Sequence, residues 1–364
     1  MSFLRWIHLV TLAAASLVCR PVAASAADAT PPAYAPRKAS GSLGTIERRD
    51  PALDELLAPD AALELLAEGF DWSEGPVWSL RGEYLLFCDV PRNVVWKWRE
   101  FEGLTEYVKP SGSGTAKGPA DGSGANGLTL DNEGRLLLCQ HGDRQVARMR
   151  TRGRFESLAT NFQGKRLNSP NDLVLKSNGD IYFTDPSYGL PKGAEDPGRE
   201  LPFHGVFRVS RRGQVTLLTK ELTWPNGLAF SPDESILYVA VSDPARAQVV
   251  AFPVSEDGTL REARVVFDAT SLVAGNPGLP DGLKVDAKGN LWTTGPGGVL
   301  ILTPAGKHLG TLRTGEAIGN CAWGGDGSVL YLTADSKLCR IRTRTHGPIP
   351  GPLAETRRKL SPIP

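Results

Sequence analysis

The sequence predicts an all-β fold, a six-bladed β-propeller built from four-stranded antiparallel blades. Three observations carry that prediction. A polar residue opening a short apolar strand recurs six times along the 364 residues. The copies start 39 to 55 residues apart, close to the length of one blade. Gly (40) and Pro (28) are abundant enough to punctuate that many turns.

The six copies are Glu74-Gly75-Pro76-Val77-Trp78, Asn126-Gly127-Leu128-Thr129-Leu130, Asn171-Asp172-Leu173-Val174-Leu175, Asn226-Gly227-Leu228-Ala229-Phe230, Asp281-Gly282-Leu283-Lys284-Val285 and Asn320-Cys321-Ala322-Trp323. A turn glycine follows at a constant offset. Gly82, Gly134, Gly179 and Gly289 lie eight residues after the opening residue and Gly327 lies seven after, while the fourth copy has Ser231-Pro232-Asp233-Glu234-Ser235 instead. A second apolar strand follows each turn, at 84–88, 135–139, 181–184, 237–241, 291–294 and 329–333. Such units read as antiparallel hairpins. A β-sandwich, the alternative, does not require the same unit six times. The propeller is assigned to 61–345, with 63–70 expected to supply the outer strand of the last blade and so close the ring.

The ends are read separately. Residues 1–26 have the form of a signal peptide: Arg5, an apolar run from Ile7 to Val18 too short to span a bilayer comfortably, and Ala24-Ser25-Ala26 as a cleavage site. The expected location is therefore periplasmic or secreted, with no membrane insertion after cleavage. Residues 27–60 are assigned to a flexible leader and 346–364 to a C-terminal tail, ordered or loose. The net charge of +1 gives no electrostatic reason for a nucleic-acid partner. Four cysteines follow the leader. Cys88 and Cys139 lie in apolar runs and read as buried thiols, while export leaves a Cys321–Cys339 disulfide open.

In a propeller blade the first strand lines the channel, so Glu74, Asn126, Asn171, Asn226, Asp281 and Asn320 converge on one mouth. A ring of oxygen donors without His or Cys suits a hard divalent cation, Ca²⁺ first, with Mg²⁺, Mn²⁺ or Zn²⁺ as substitutes. Asn and Asp are ordinary turn residues taken singly; six in register, with Glu in the first copy, are harder to read that way. Antiparallel geometry also brings Asp89, His141, Asp185, Asp243 and Asp335 toward this mouth. Three long insertions lie there too: 110–125, 186–205 with Tyr188 and Lys192, and 269–280. Gly122-Ser-Gly-Ala-Asn-Gly127 fits a dinucleotide fingerprint as a string, but it precedes a strand and no helix follows.

Ser73-Glu74-Gly75-Pro76-Val77-Trp78, Leu167-Asn168-Ser169-Pro170-Asn171-Asp172, Trp224-Pro225-Asn226-Gly227-Leu228 and Leu279-Pro280-Asp281-Gly282 together resemble the senescence-marker-protein/gluconolactonase/luciferin-regenerating-enzyme family, over about residues 70–343. The resemblance implies a six-bladed propeller and a metal-dependent lactonase acting on a small sugar lactone. By motif match it implies Glu74, Asn226 and Asp281 as metal ligands, Asn171 as a metal or substrate contact, and Asp281 as general base. Asn126, Asn171, His141 and Tyr188 are the candidate substrate contacts. Animal members carry a substrate-facing Arg two residues before the Asn; here that residue is Ser169, as in bacterial gluconolactonase-like members. The implied chemistry is polarisation of the lactone carbonyl by the cation and attack by a water that Asp281 or the cation activates. The alternatives are a phosphotriesterase or other ester hydrolase, and a non-catalytic binding propeller with a structural metal.

Overall fold

Each of the six copies opens the innermost strand of its own antiparallel sheet. The computed structural model describes residues 36–113 and 124–352. Blade 1 comprises Ser73–Ser79, Tyr84–Asp89, Val94–Arg99 and Gly103–Val108; blade 2 comprises Ala125–Leu130, Leu136–Gln140, Gln145–Thr151 and Arg154–Ala159. Blade 3 comprises Leu173–Leu175, Ile181–Asp185, Gly205–Val209 and Val215–Thr219; blade 4 comprises Pro225–Phe230, Ile236–Asp243, Arg246–Pro253 and Arg264–Asp268. Blade 5 runs through Leu283–Val285, Leu291–Gly295, Gly298–Leu302 and His308–Arg313, and blade 6 through Asn320–Gly324, Val329–Ala334 and Lys337–Arg342. The axial strands touch in order around the ring, and that of blade 6 touches that of blade 1. The expected propeller is what the chain forms.

The second strand of a blade is apolar at successive positions because both of its faces are covered. In blade 2, Leu136 and Leu138 pack with Val77 and Leu86 of blade 1, while Leu137 and Cys139 pack with Leu173 and Phe183 of blade 3. The same division places Val239 against blade 3 and Tyr238 against blade 5. Between blades 5, 6 and 1 the filling is aromatic, with Trp292, Trp323, Tyr331, Trp78 and Phe87 in one cluster.

The glycine that follows four of the six opening residues has a specific task. It lets the axial strand of one blade meet the next blade backbone to backbone. A Cβ on Gly75 would lie 2.0 Å from the Asn126 carbonyl oxygen, one on Gly127 2.7 Å from that of Asn171, and one on Gly227 2.3 Å from that of Asp281. Two of these approaches are hydrogen bonds, Gly127 N–H to Asn171 O (2.8 Å) and Gly227 N–H to Asp281 O (3.1 Å). A Cβ on Gly282 would meet the Asn320 side chain at 2.0 Å, and one on Gly319 the Glu74 carboxylate at 2.4 Å.

Residues 36–55 and 343–352 make more regular contacts than a leader and a loose tail would. Leu63–Glu68 pairs with Lys337–Arg342 and supplies the outer strand of blade 6, closing the ring as expected. The flexible leader placed at 27–60 needs correction from residue 36 onward. Thr45–Arg48 adds a fifth strand to blade 5 by pairing with His308–Arg313, and Arg37–Lys38 and Ser42–Leu43 pair with Leu63–Glu68. These are edge strands with mostly exposed side chains, so backbone pairing rather than an apolar pattern holds them. Asp50 then caps a short 3₁₀ turn, Pro51–Glu55, that buries Leu53.

At the other end, residues 343–352 run beneath the channel. Ala287 N–H donates to His346 O (2.7 Å), Gly347 N–H to Gly327 O (3.0 Å), and Thr345 Oγ1–H to the buried Asp286 carboxylate (3.2 Å). Ile349 is buried, and Pro352 reaches the blade 2 turn at Gly134. The signal peptide read at 1–26 lies outside the described residues. Among the described residues no helix is long and apolar enough to cross a membrane. Cys88, Cys139, Cys321 and Cys339 are all free and buried, so the disulfide left open between the last two is not formed; Cys321 Sγ instead faces the Trp292 carbonyl at 3.4 Å.

The glycine contacts make a stability prediction. Gly227→Ala forces a methyl into the Asp281 carbonyl and is expected to destabilise the chain by about 2 kcal/mol or more. A urea midpoint unchanged from the parent would refute the backbone contact.

Candidate functional site

The propeller brings the opening residues to one mouth and buries most of them there. Glu74, Asn126, Asn171, Asn226 and Asn320 are buried, and Asp281 keeps partial exposure. Blades 1 and 5 contribute the carboxylates of the ring, and blades 2, 3, 4 and 6 the amides.

A directed hydrogen-bond chain links blades 2 to 5. His141 Nε2 lies 3.2 Å from Asn171 Oδ1, Asn171 Nδ2 donates to Asn226 Oδ1 (2.5 Å), and Asn226 Nδ2 donates to Ser242 Oγ (2.9 Å). Ser242 Oγ–H in turn donates to the Pro280 carbonyl, immediately before Asp281. Asp281 itself is fixed through its N–H to Thr294 Oγ1 (3.1 Å). His141 is buried behind Asn171, so it reaches the site through that amide.

Sequence reasoning missed Asp172 and Lys284. In the third copy Asp172 occupies the position held by Gly in four of the others, and that departure was the available signal. Its Oδ2 accepts from Asn320 Nδ2 across the channel (3.3 Å), and its Oδ1 accepts from Leu173 N–H (2.8 Å). Lys284 Nζ donates to Leu283 O (3.0 Å) and Asn320 Oδ1 (3.3 Å). Asn320 is thereby committed between Asp172 and Lys284.

The site is electrostatically crowded. Burial, with the charge of Asp172 as a secondary cause, pushes Glu74 up to about 7. The Asp281 carboxylate is withdrawn from bulk water, which, with repulsion from Glu74 and Asp172, raises its pKa well above the usual carboxylate range. Burial raises Asp172 as well, and Lys284 partly offsets this.

Two aspartates at strand ends hold the approaches to the site. Asp89 accepts from the N–H groups of Asp71 and Trp72, just before Glu74. Asp185 accepts from Asn168 N–H (2.8 Å) and Ser169 N–H (2.9 Å), just before Asn171. Ser169 is fully buried. Its hydroxyl donates to Pro186 O (2.7 Å) and accepts from Gly189 N–H (2.9 Å), fastening the 186–205 loop. Gly189 has no room for a Cβ, which would lie 2.6 Å from His141 Cβ. The loop thus delivers Tyr188 beside Asn226, Ser242 and Asp281. Asp243 instead accepts from Thr223 Oγ1–H (2.7 Å), and Asp335 offers its carbonyl to Ser73 N–H (2.9 Å).

The donor set fits a hard divalent cation. Glu74 and Asp281 repel each other inside the protein, and the buried Asn126 Oδ1 has no hydrogen-bond partner. An amide oxygen has two lone pairs, so Asn171 and Asn226 each keep one beyond the bonds described. Among the described residues no group of three or more His, Cys, Asp or Glu is gathered for a metal. A cation at this mouth would draw on amide oxygens as well as carboxylates, as Ca²⁺ sites do.

A family described as the SMP-30/Gluconolactonase/LRE-like region matches residues 72–336. A gluconolactonase from Zymomonas mobilis is 37% identical over 347 residues, covering 92% of this chain and 97% of its own. A pentonolactonase from Haloferax volcanii is 27% identical, covering 71% and 80%. The structure of a gluconolactonase from Xanthomonas campestris superposes with a TM-score of 0.72 at 30% identity, covering 85% of this chain and 99% of that one.

The buried carboxylates predict a pH dependence. Burial, outweighing the backbone N–H bonds, pushes Asp185 up to about 7, and burial pushes Asp89 up to about 6. Each binds its proton more tightly folded than unfolded. Their contribution is full below the unfolded value near about 4 and is lost as pH climbs to the folded value. Without divalent cation, stability is expected to fall between pH 4 and 7, by up to about 1.4 kcal/mol per pH unit for each group. Asp185→Ala should flatten that slope in urea titrations; an unchanged slope would exclude Asp185 as its source.

Proposed function

Because the chain belongs to the SMP-30/gluconolactonase/LRE-like family, we propose that it is a lactonase, opening a sugar lactone to the aldonic acid at the channel mouth with Asp281 as general base. The observation that carries the reading is the convergence of Glu74, Asn171, Asn226 and Asp281, from blades 1, 3, 4 and 5, on one site where the buried Glu74 carboxylate repels that of Asp281. Those four residues would hold a divalent cation, with Ca²⁺ the best match to two carboxylates and amide oxygens. Such an ion supplies charge that favours the ionised carboxylates and polarises a carbonyl oxygen.

The residues of the chain then do the following. Asn171 and Asn226, locked by His141 and Ser242, present fixed amide groups to the lactone. Asp281, held by Thr294 and with its carboxylate withdrawn from water, takes a proton from the attacking water. The water oxygen bonds to the carbonyl carbon, the ring C–O ester bond breaks, and the proton passes from Asp281 to the departing ring oxygen. The product is the open-chain hydroxy acid. Asn126 and Tyr188 stand as further substrate contacts, and His141 acts through Asn171.

Export remains part of the proposal. Arg5, the apolar run 7–18 and Ala24-Ser25-Ala26 support removal of residues 1–26 and a periplasmic or secreted enzyme. N-terminal sequencing of the mature protein should begin at Ala27; a mature chain starting at Met1 would rule out cleavage.

Asp281→Asn should lower kcat for glucono-δ-lactone by at least about a thousandfold, measured by pH indicator, while calorimetric Ca²⁺ binding weakens but persists; charge removal at a general base commonly costs about 10²–10⁴-fold. Retained kcat would remove Asp281 from the mechanism. Chelation of the parent protein should abolish turnover, and added Ca²⁺ should restore it.

A further inference from the structure

The face of the mouth between blades 3 and 4 is aromatic, and nothing in the proton-transfer scheme uses it. Tyr188 stacks on Trp224, with ring centroids 5.0 Å apart and planes at 25°. Trp224 is backed by His204 at 4.3 Å. His204 is itself fixed: Nδ1–H donates to the Thr223 carbonyl, and Nε2 lies 3.0 Å from the buried Ser187 hydroxyl. Burial lowers the His204 pKa, which favours the neutral form of the ring that buttresses Trp224. Ser187 adjoins Tyr188, and Ser169 and Gly189 pin the loop beyond it. The stack is therefore built in from behind at every layer.

Its front is open. Among the described residues Tyr188 is one of three exposed large hydrophobic residues, at 39%, whereas the neighbouring Asn226 is 4% exposed. The phenol hydroxyl is turned inward to Ser242 and Asn226, beside Asp281. With Trp224 stacked on one side, the exposed part of the Tyr188 ring lies next to the ring of amides and carboxylates. The C–H face of a sugar ring is weakly positive and apolar and fits the negative face of an aromatic ring. The hydroxyls at the sugar edge fit amide and carboxylate acceptors. A carboxylate on the substrate would instead meet Glu74, Asp172 and Asp281.

We propose that Tyr188, supported by Trp224, is a specificity-determining residue that stacks on the ring of a neutral polyhydroxy lactone. The proposal rests on the lactonase reading for the reaction but not for the binding. The wall contributes ground-state binding of the ring and leaves the reacting carbonyl to the amides and carboxylates. It acts on KM more than on kcat, and it acts less on a small lactone with no hydroxylated ring face to present.

The experiment compares the parent with Tyr188→Leu, which keeps apolar bulk without an aromatic face, and Tyr188→Phe, which keeps the face without the hydroxyl. Calorimetry with gluconolactam, the non-hydrolysable nitrogen analogue, should show Kd raised about three- to tenfold in Tyr188→Leu and within about twofold of the parent in Tyr188→Phe, since a change of up to about tenfold is the scale of one aromatic contact. The kcat/KM ratio for glucono-δ-lactone over γ-butyrolactone should fall by a similar factor in Tyr188→Leu, mainly through KM. Parent-like gluconolactam binding by Tyr188→Leu, or equal loss on both lactones, would overturn the proposal. A parent that binds gluconolactam but hydrolyses no lactone would defeat the lactonase reading and leave the wall standing. A parent that binds no gluconolactam would defeat the wall.

Discussion

Backbone must meet backbone at the axis of this ring, and the rest of the molecule follows from that. Gly75, Gly127, Gly227, Gly282 and Gly319 have no side chain because the neighbouring blade occupies the space a Cβ would need. With glycine after four of the six opening residues and before the last, adjacent axial strands close up, and the carbonyls of Asn171, Asp281 and Gly319 accept from the N–H groups of Gly127, Gly227 and Gly282 across the blade boundary. The opening side chains then have nowhere to go except the mouth. One steric rule therefore sets both the closure of the ring and the gathering of its polar groups. In the third copy Asp172 breaks the rule, and its carboxylate enters the channel toward Asn320.

The electrostatic state of the mouth follows from the same crowding. Asp172 raises Glu74, both raise Asp281, and Lys284 is the cation that offsets Asp172 and Asp281. Taking several like charges from water is costly unless they are paired, protonated or bound to metal. The amide chain from His141 to Ser242 shows the opposite character: its members find partners within the protein and fix one another's orientation. A neutral half of mutually bonded amides and an acidic half only partly offset by Lys284 share one mouth. That division suits the proposed pairing of a bound cation with a neutral substrate.

Much of this was legible in the sequence for definite reasons. Repetition reveals an element even where each copy alone reads as a turn, which is how Asn126, Asn226 and Asp281 could be placed together. The apolar runs at 136–139 and 237–241 announced strands covered on both faces. Thr45–Arg48 was not legible because an edge strand held by backbone bonds leaves little periodicity. Ser242 and Trp224 were not legible because their roles depend on contacts between blades: a serine at a strand end becomes a junction only when Asn226 and Pro280 arrive from other segments. Ser169 showed as an anomaly, but its latch with Pro186 and Gly189 needs the folded loop.

The outer strand of blade 6 comes from Leu63–Glu68, near the start of the folded chain, while its inner three strands come from the end. Gly319 presses against Glu74 across that same seam. During synthesis the first carboxylate of the mouth must therefore wait, unpartnered, for almost the whole polypeptide to emerge before its last neighbour arrives. Ribosomes stalled before residue 319 would hold five blades' worth of sequence and no complete mouth, so ion binding would turn on late and all at once rather than grow blade by blade.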